Sequence, residues 1–174
     1  NYRDGRTNGG ALRVYDLDRN ATGESVLGPD FAVGPLAQGD LEGDETPEIF
    51  VGGRAIAGRY PEAAPSLLLT QQGGRFVVSR RFQALGLVNS AVMTDADGDG
   101  DLDLAVANLA APNRLYRNDG GQLNPGAVWW SSDSENTYSL AWADYDNDGD
   151  LDLAVGNERG SNRLYRNDSG SLTT

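Results

Sequence analysis

Residues 95–123 read DADGDGDLDLAVANLAAPNRLYRNDGGQL, and residues 144–172 read DYDNDGDLDLAVGNERGSNRLYRNDSGSL. The second stretch begins 49 residues after the first and needs no gap, and 20 of the 29 aligned positions are identical. Chance does not produce such agreement, so the chain contains an internal repeat. A fixed period of this length is typical of repeat architectures, in which each unit packs against its neighbours.

An older copy of the repeat lies upstream, and part of another copy opens the chain. DLEGDETPEIFVGG at 40–53 aligns with 95–108, and SLLLTQQGGRF at 66–76 aligns with 113–123. The segment LRVYD at 12–16 is similar to NRLYR, which would put Asn1 at the place of Asn108. We therefore interpret 1–174 as a single repeat domain. It has a partial unit at 1–35 and repeats that start near 36, 91 and 140, the last of them incomplete.

Each repeat is predicted to contain four short β-strands. The expected first strands are GPLAQG, SAVMT and SLAWA, and the second are EIFVG, DLAVA and DLAVG. SLLLT and NRLYR are the expected third strands, and FVVSRRF and GAVWW the fourth. Gly, Asp, Asn and Pro turn signals bound these runs, and no sustained helical period is present. Four-stranded units at about 40–50 residues are typical of β-propeller blades.

The predicted fold is therefore all-β, with propeller blades of four antiparallel strands and about three and a half repeats. Closed propellers have about four to eight blades. The chain is thus expected to form an arc or part of a larger propeller. An open arc exposes strand edges, which favours self-association or pairing with the remainder of a parent propeller.

Between the first and second strands the pattern D-x-D-x-D-G-x-x-D occurs twice. Calcium takes about six to eight oxygen ligands, whereas magnesium prefers a smaller octahedral shell. Carboxylates at positions 1, 3, 5 and 9 can converge on one ion, position 7 can offer its backbone carbonyl, and Gly at position 6 permits the sharp turn. The sequence therefore predicts two Ca²⁺ sites. Their residues are Asp95, Asp97, Asp99, Asp101, Asp103, Asp144, Asp146, Asp148, Asp150 and Asp152.

Three other interpretations do not fit the acidic segments. A solvated acidic turn does not explain two copies at one spacing. A helical EF-hand loop needs Glu at position 12, where this chain has Val106 and Val155. A calcium β-helix repeat has a much shorter period. The upstream copy keeps oxygens at positions 1, 3, 5 and 9 but lacks the glycine, so a third site there stays open. Its residues are Asp40, Glu42, Asp44 and Glu48, with Glu45 at position 6.

These motifs resemble the FG-GAP or VCBS repeats of integrin α-subunit-like β-propellers. The resemblance rests on D-x-D-x-D-G-x-x-D-L-x-V-x-N followed by N-R-L-Y-R-N-D. It implies that the metal loop joins the first two strands of a blade and that the ten loop aspartates listed above belong to calcium loops. The chain has AN or GN in place of GAP, and only Phe31-Ala32-Val33-Gly34 stands near the FG element. These departures favour a secreted, bacterial-type branch over an integrin subunit.

Composition excludes several kinds of chemistry. The chain has no Cys and no His, which removes thiolate nucleophiles, imidazole bases and the usual zinc ligands. Its net charge is −12 and no basic stripe is visible, so we expect no nucleic-acid partner. No run approaches the ~20 apolar residues of a membrane span, so no membrane insertion is expected. The regular metal spacing accounts for the acidic clusters, and we predict that the chain is not an enzyme.

The predicted function is a calcium-binding extracellular β-propeller module that acts as a non-catalytic interaction or adhesion scaffold for a protein or glycan ligand. The alternatives are a glycan-binding lectin-like propeller and a non-catalytic appendage of a polysaccharide-active enzyme. Calcium loops of extracellular modules bind at ~10⁻⁴–10⁻³ M. This affinity suits an extracellular, periplasmic or cell-surface location, and the absence of Cys favours a bacterial source.

Aromatic residues gather around the third repeat, at Trp129, Trp130, Trp142 and Tyr145. Rings of this kind form sugar-binding platforms, but they also carry large buried area between strands and blades. Packing is the favoured interpretation. The recurring Arg114, Tyr116 and Arg117, repeated at Arg163, Tyr165 and Arg166, are likewise expected to lie in contacts between blades.

Overall fold

The computed structural model describes residues 12–16, 21–26, 31–56 and 58–173. These residues form fourteen β-strands, and none of them lies in a helix. The all-β prediction is confirmed. In the described ranges there is accordingly no helix of the length and hydrophobicity needed to cross a membrane.

Three sheets have four antiparallel strands each, and we call them blades 1, 2 and 3. Blade 1 contains β3 (Phe31–Gly39), β4 (Glu48–Ile56), β5 (Ser66–Gln72) and β6 (Arg75–Phe82). Blade 2 contains β7 (Leu87–Thr94), β8 (Asp103–Leu109), β9 (Arg114–Tyr116) and β10 (Trp129–Trp130). Blade 3 contains β11 (Asn136–Ala143), β12 (Asp152–Glu158), β13 (Arg163–Asp168) and β14 (Ser171–Thr173). The strands of every blade follow one another in chain order, as expected for propeller-like blades.

The partial unit at the start of the chain is represented by two strands. β1 (Leu12–Asp16) and β2 (Ala21–Val26) pair antiparallel, as the third and fourth strands of a blade do. The proposed place of Asn1 lies outside the described residues. The first strands of the complete blades begin at Phe31, Leu87 and Asn136, a few residues before the expected starts near 36, 91 and 140.

The last repeat differs from the prediction, because it contains all four strands. Ser169 and Gly170 have φ angles of 47° and 87°, and this pair of positive values closes a tight hairpin between Asp168 and Ser171. Two central residues with positive φ match the right-handed twist of the paired strands. The three residues that follow, Ser171–Thr173, therefore return along β13 as β14.

The hydrophobic core lies between the blades. Phe50, Leu68 and Phe82 of blade 1 share a buried cluster with Leu104 and Tyr116 of blade 2. Neighbouring residues of one strand pack into the interfaces on opposite faces of the blade, because side chains alternate across a strand. A strand buried on both faces reads as a continuous apolar run, which is why DLAVA and EIFV lack polar alternation.

The second interface repeats this arrangement. Ala105, Leu115 and Trp129 of blade 2 meet Leu153 and Tyr165 of blade 3. Each interface contains edge-to-face aromatic pairs, with ring centroids 5.6 Å apart for Phe50 and Phe82 and 5.5 Å apart for Phe82 and Tyr116. In the second interface the corresponding distance between Trp129 and Tyr165 is 4.9 Å. Such pairs contribute about 0.5–1.5 kcal/mol beyond their buried area.

The packing interpretation of the aromatic group is confirmed for part of it. Trp129 and Trp142 pack against the core between blades 2 and 3. Trp130 and Tyr145 are each 53% exposed and contribute little to this core. The first strands lie side by side, since β3 contacts β7 and β7 contacts β11. The blades thus form an arc with their first strands next to one another.

Candidate metal loops

Three acidic loops occupy the same place in successive blades, between the first and second strands. We call residues 40–48 loop 1, residues 95–103 loop 2 and residues 144–152 loop 3, and number the positions of each from 1 to 9. The strand pairing closes every loop in the same register, through Gly39 with Glu48, Thr94 with Asp103 and Ala143 with Asp152. Equivalent positions can therefore be compared directly.

The aspartate at position 1 organises the turn. In loop 2 the Oδ1 atom of Asp95 accepts a hydrogen bond from the Gly98 N–H at 2.8 Å, and Oδ2 accepts from the Gly100 N–H at 3.0 Å. Equivalent bonds run to Asp40 from Gly43 and Glu45, and to Asp144 from Asn147 and Gly149. These bonds wrap the backbone of positions 4 to 6 around one carboxylate.

Positive φ angles at positions 4 and 6 make this curl in all three loops. The φ angles are 76° at Gly98 and 97° at Gly100 in loop 2. Position 4 is Gly43 in loop 1 and Asn147 in loop 3, and Asn tolerates this conformation better than most residues. Glu45 adopts a φ of 67° without being glycine, which costs about 1–2 kcal/mol. Loop 1 therefore keeps the fold of the other loops despite its altered sequence.

The carboxylate at position 9 is buried in every loop. Glu48 and Asp103 are 1% exposed, and Asp152 is fully buried. Asp103 accepts hydrogen bonds from the Ala96 N–H and the Asn118 N–H, both at 2.8 Å. Burial raises the pKa of Asp103 to about 6, because removal from water penalises the charged form more than these two hydrogen bonds favour it. The site thus keeps a carboxylate that is costly to ionise without a cation.

The position 9 bonds recur in the other blades with one exception. Asp152 accepts from the Tyr145 N–H at 3.0 Å and from the Asn167 N–H at 2.8 Å. Glu48 accepts from the Leu41 N–H at 2.9 Å, but its second partner is the Thr70 hydroxyl at 3.1 Å. A buried acceptor that bonds the backbone of two separate segments holds the loop against the blade.

Three carboxylates converge in each of loops 2 and 3. In loop 2 they belong to Asp95, Asp97 and Asp99, each with an oxygen within 4.8 Å of the others. In loop 3 they belong to Asp144, Asp146 and Asp152. Loss of water contact and then the neighbouring Asp99 raise the pKa of Asp97, as expected for like charges held together. Among the described residues no third group of converging carboxylates is found, and loop 1 does not contain one.

The aspartates at position 7 face a different partner. Asp101 Oδ2 accepts from the Gly120 N–H at 2.5 Å, and Asp150 Oδ2 accepts from the Ser169 N–H at 2.9 Å. Both donors lie in the turn after the third strand of the same blade. The side chains at position 7 therefore tie each loop to that turn and lie outside the converging groups. Asp148 at position 5 of loop 3 is also outside the group, and its carboxylate accepts from the Asp150 N–H at 3.0 Å.

Two arginines lie against the acidic loops, which differs from the expected contacts between blades. The Arg166 guanidinium lies 3.2 Å from an oxygen of Asp146 and 3.1 Å from one of Asp148, within its own blade. Arg117 pairs in the same way with Asp97 at 3.7 Å, more loosely. These arginines are nearly half exposed, so solvent screens each pair and the pairs contribute little to stability. The expectation is confirmed for the two tyrosines of the motif, since Tyr116 and Tyr165 pack between blades. Arg163 instead pairs with Asp133 and Glu135, which lie just before the first strand of its own blade.

Two asparagines that sequence reasoning did not single out connect each loop to the next blade. The Asn118 side-chain amide donates to the Leu41 carbonyl of loop 1 at 2.7 Å. The Asn167 amide donates to the Ala96 carbonyl of loop 2 at 2.5 Å. Both asparagines are fully buried. Their recurrence in NRLYRND was visible in the sequence, but nothing there indicated a partner more than 70 residues away.

The donor set of the loops is composed of oxygen atoms alone. Hard divalent cations prefer carboxylate and carbonyl oxygens, while zinc and copper favour nitrogen and sulfur. The residues present therefore fit calcium or magnesium, and the converging side chains of Asp95, Asp97 and Asp99 would hold the ion in loop 2. Asp103 at position 9 lies outside this group, and both of its oxygens accept backbone N–H bonds. Such an ion would neutralise the repulsion among carboxylates that the backbone hydrogen bonds hold together.

Comparison with known proteins supports the resemblance inferred from the motifs. Residues 95–155 match the family model described as an FG-GAP-like repeat. The matched segment runs from the start of loop 2 through β8, β9, β10 and β11 to the beginning of β12. It therefore includes both regular acidic loops. No curated protein matches the chain.

Proposed function

We propose that this chain, in which residues 95–155 form an FG-GAP-like repeat, is a calcium-binding β-propeller module. Its role is that of a non-catalytic interaction or adhesion scaffold outside the cell. The observation that carries the proposal is the convergence of three carboxylates in loop 2 and again in loop 3. In both loops the position 1 aspartate is held by two backbone N–H groups, so the cluster is built into the turn.

Calcium in these loops is proposed to be structural. The ion offsets the repulsion within each cluster and the cost of ionising the buried Asp103. It would thereby hold loops 2 and 3 against the blades that they join. Loop 1 keeps the hydrogen-bonded frame of Asp40 and Glu48. Calcium titration of a chain with loops 2 and 3 disabled decides whether loop 1 is a third site.

Thermal unfolding with and without chelator tests the calcium proposal. An ion that binds only the folded chain stabilises it by about 2.7 kcal/mol at a hundredfold excess over its dissociation constant. A chelator should lower the melting temperature, and calcium should restore it better than magnesium. Asp95→Asn should remove part of this response. The exposed Glu158, outside the loops, provides the charge-matched control Glu158→Gln. An identical melting temperature in chelator and in calcium would reject the proposal.

The scaffold is proposed to lack catalytic activity. The FG-GAP-like repeat is a non-catalytic repeat type, and the clustered carboxylates have a role as metal ligands. Incubation of the purified chain with polysaccharides of several classes should release no reducing ends. Turnover that is abolished by replacing one carboxylate outside the loops would contradict this part of the proposal.

A lectin-like function is the second candidate, and two exposed rings favour it. Trp130 and Tyr145 are 53% exposed, whereas Trp129 is directed into the core. Exposed aromatic faces are suited to stacking on sugar rings. A glycan array with the native chain and with Trp130→Ala tests this candidate. Binding that is lost in Trp130→Ala would favour the lectin, and an array without signal would favour a protein ligand.

The open face of blade 3 is proposed to dock a further blade. Ala105 and Leu115 of blade 2 are buried at 1% and 2% exposure by the blade that follows. Their equivalents in blade 3 are Ala154, which is exposed, and Leu164, which is 44% exposed. A blade from the rest of a parent propeller, or from a second copy of the chain, would cover them.

Sedimentation over a range of concentrations tests this face with Leu164→Glu. If a second copy docks there, the native chain should associate and the variant should do so less. A chain that stays a compact monomer at all concentrations would reject docking of a second copy. Secretion of the full-length protein, followed by fractionation of cells that produce it, tests the proposed extracellular, periplasmic or surface location.

A further inference from the structure

A continuous string of hydrogen bonds crosses three blades and passes through the acidic loops. It alternates between a position 9 carboxylate, the backbone of position 2 in the same loop, and an asparagine of the next blade. From blade 1 to blade 3 its members are Glu48, Leu41, Asn118, Asp103, Ala96, Asn167, Asp152 and Tyr145. The string links atoms that lie far apart in the chain.

Every link between loops 2 and 3 is short and buried. The Ala96 N–H donates to Asp103 at 2.8 Å, and the Ala96 carbonyl accepts from the Asn167 amide at 2.5 Å. The backbone N–H of the same Asn167 donates to Asp152 at 2.8 Å. One asparagine therefore bonds the position 9 carboxylate of its own loop and the backbone of the preceding loop. Asn118 makes the equivalent pair of bonds between loops 2 and 1.

A direct contact accompanies this link. A side chain added at Gly170 would have its Cβ only 2.6 Å from the Cβ of Asp97, so the blade 3 hairpin touches position 3 of loop 2. Gly170 also donates its N–H to the Asn167 side-chain oxygen at 2.9 Å, which fixes the orientation of the amide. The asparagine is thus a rigid connection between the two loops.

We infer that Asn167 couples calcium binding in loops 2 and 3, with Asn118 as its counterpart between loops 1 and 2. This inference rests on the proposed calcium function. An ion in loop 3 holds Asp152 in place, and with it the N–H and the amide of Asn167. The peptide of Ala96, and through it Asp103, is then ordered before calcium reaches loop 2. A loop that is already ordered loses less conformational freedom on binding, so the coupling is positive.

A thermodynamic cycle on the full chain tests the coupling. Loop 2 occupancy is followed through the Gly100 amide resonance during calcium titration, and loop 3 is disabled by Asp144→Ala. With Asn167 present, disabling loop 3 should weaken calcium binding in loop 2 about fivefold, the low end of coupling between linked sites. In Asn167→Ala, the same change should leave the loop 2 affinity within about twofold.

The matched control is a variant that removes a different contact between the same two blades. The Asn113 amide donates to the Thr137 hydroxyl at 2.9 Å, at the opposite end of the sheets from the loops. Asn113→Ala should lower stability as Asn167→Ala does, yet keep the fivefold coupling. Loss of coupling in both variants would assign it to general packing between blades and overturn the role of Asn167.

Two other outcomes separate the inference from the function on which it rests. If Asp144→Ala leaves the loop 2 affinity unchanged in a chain with native Asn167, the loops bind independently and the inference is wrong. This comparison needs no substitution at Asn167, so it decides the matter even if Asn167→Ala fails to fold. If neither Gly100 nor Gly149 responds to calcium in the native chain, the proposed calcium function is itself rejected.

Discussion

Asp103 predicts an unusual pH dependence of stability in the metal-free chain. This carboxyl is 1% exposed, and burial raises its pKa from an ordinary value of 3.8 to about 6 in the folded state. The folded chain therefore holds this proton in a pH range where the unfolded chain has released it. Stability from this group is complete below the unfolded pKa and is lost as the pH rises through the folded pKa.

The size of the effect follows from the pKa difference. A shift of about two units corresponds to about 3 kcal/mol over the whole range. About 2 kcal/mol of this falls between roughly pH 4.5 and pH 7.5, because the unfolded carboxyl is already largely ionised at the lower limit. Asp103→Asn has no ionisable group at this position. The pH dependence of its stability therefore reports the other carboxylates alone and serves as the reference.

Urea unfolding in the presence of chelator measures the difference. Between these two pH values the native chain should lose about 2 kcal/mol relative to Asp103→Asn, whatever the absolute stabilities of the two chains. In excess calcium the slope should reverse for the native chain, because an ion bound by Asp97 and Asp99 favours the ionised form of the neighbouring Asp103. Parallel curves for the two chains in chelator would refute the conclusion that Asp103 is strained in its charged form.

Three further predictions concern the loops and the core. Asp152→Ala should abolish much of the calcium affinity of loop 3, whereas Asp150→Ala should cause only the small loss expected from one less nearby charge; calorimetric titration that finds equal losses would show the ligand assignment to be wrong. Phe82→Ala should destabilise the chain by about 3–5 kcal/mol in urea unfolding, while Tyr138→Ala, at 50% exposure, should stay within about 0.5 kcal/mol. Gly100→Ala should cost about 1–2 kcal/mol through backbone strain alone, since its φ is 97° and no atom would contact the added methyl group; an unchanged midpoint would show that the turn adapts.

Much of the fold could be predicted because the repeated units of the sequence can be aligned with one another. Apolar runs and turn residues recur at equivalent positions, so strands two and three were found where expected. The starts of the first strands were missed for a physical reason. Irregular pairing between Val88 and Ser90, and again between Thr137 and Ser139, interrupts the alternation from which a strand is recognised. β14 was missed because three residues are too few to show a pattern.

The acidic loops were recognised from spacing, but their electrostatic environment was not. The carboxylates of Asp95, Asp97 and Asp99 do converge as the spacing suggested. Burial at position 9 depends on neighbouring strands and on the next segment of the blade, which spacing does not report. The side chain of Asp101 bonds Gly120 in a turn 19 residues away. Such partners are visible only once the blade has formed.

The string of hydrogen bonds has a consequence for how the chain can change in length. Blade 2 contains both the donor and the acceptor of this contact between blades. Its Asn118 amide donates a hydrogen bond to loop 1, and its Ala96 carbonyl accepts one from blade 3. A tandem duplication of one whole unit would therefore place complementary surfaces at both new junctions, with no compensating substitution required. Gains or losses of complete units keep every junction matched, while an insertion within a strand breaks one. The identity of 20 of 29 aligned positions between residues 95–123 and 144–172 agrees with growth by such copying.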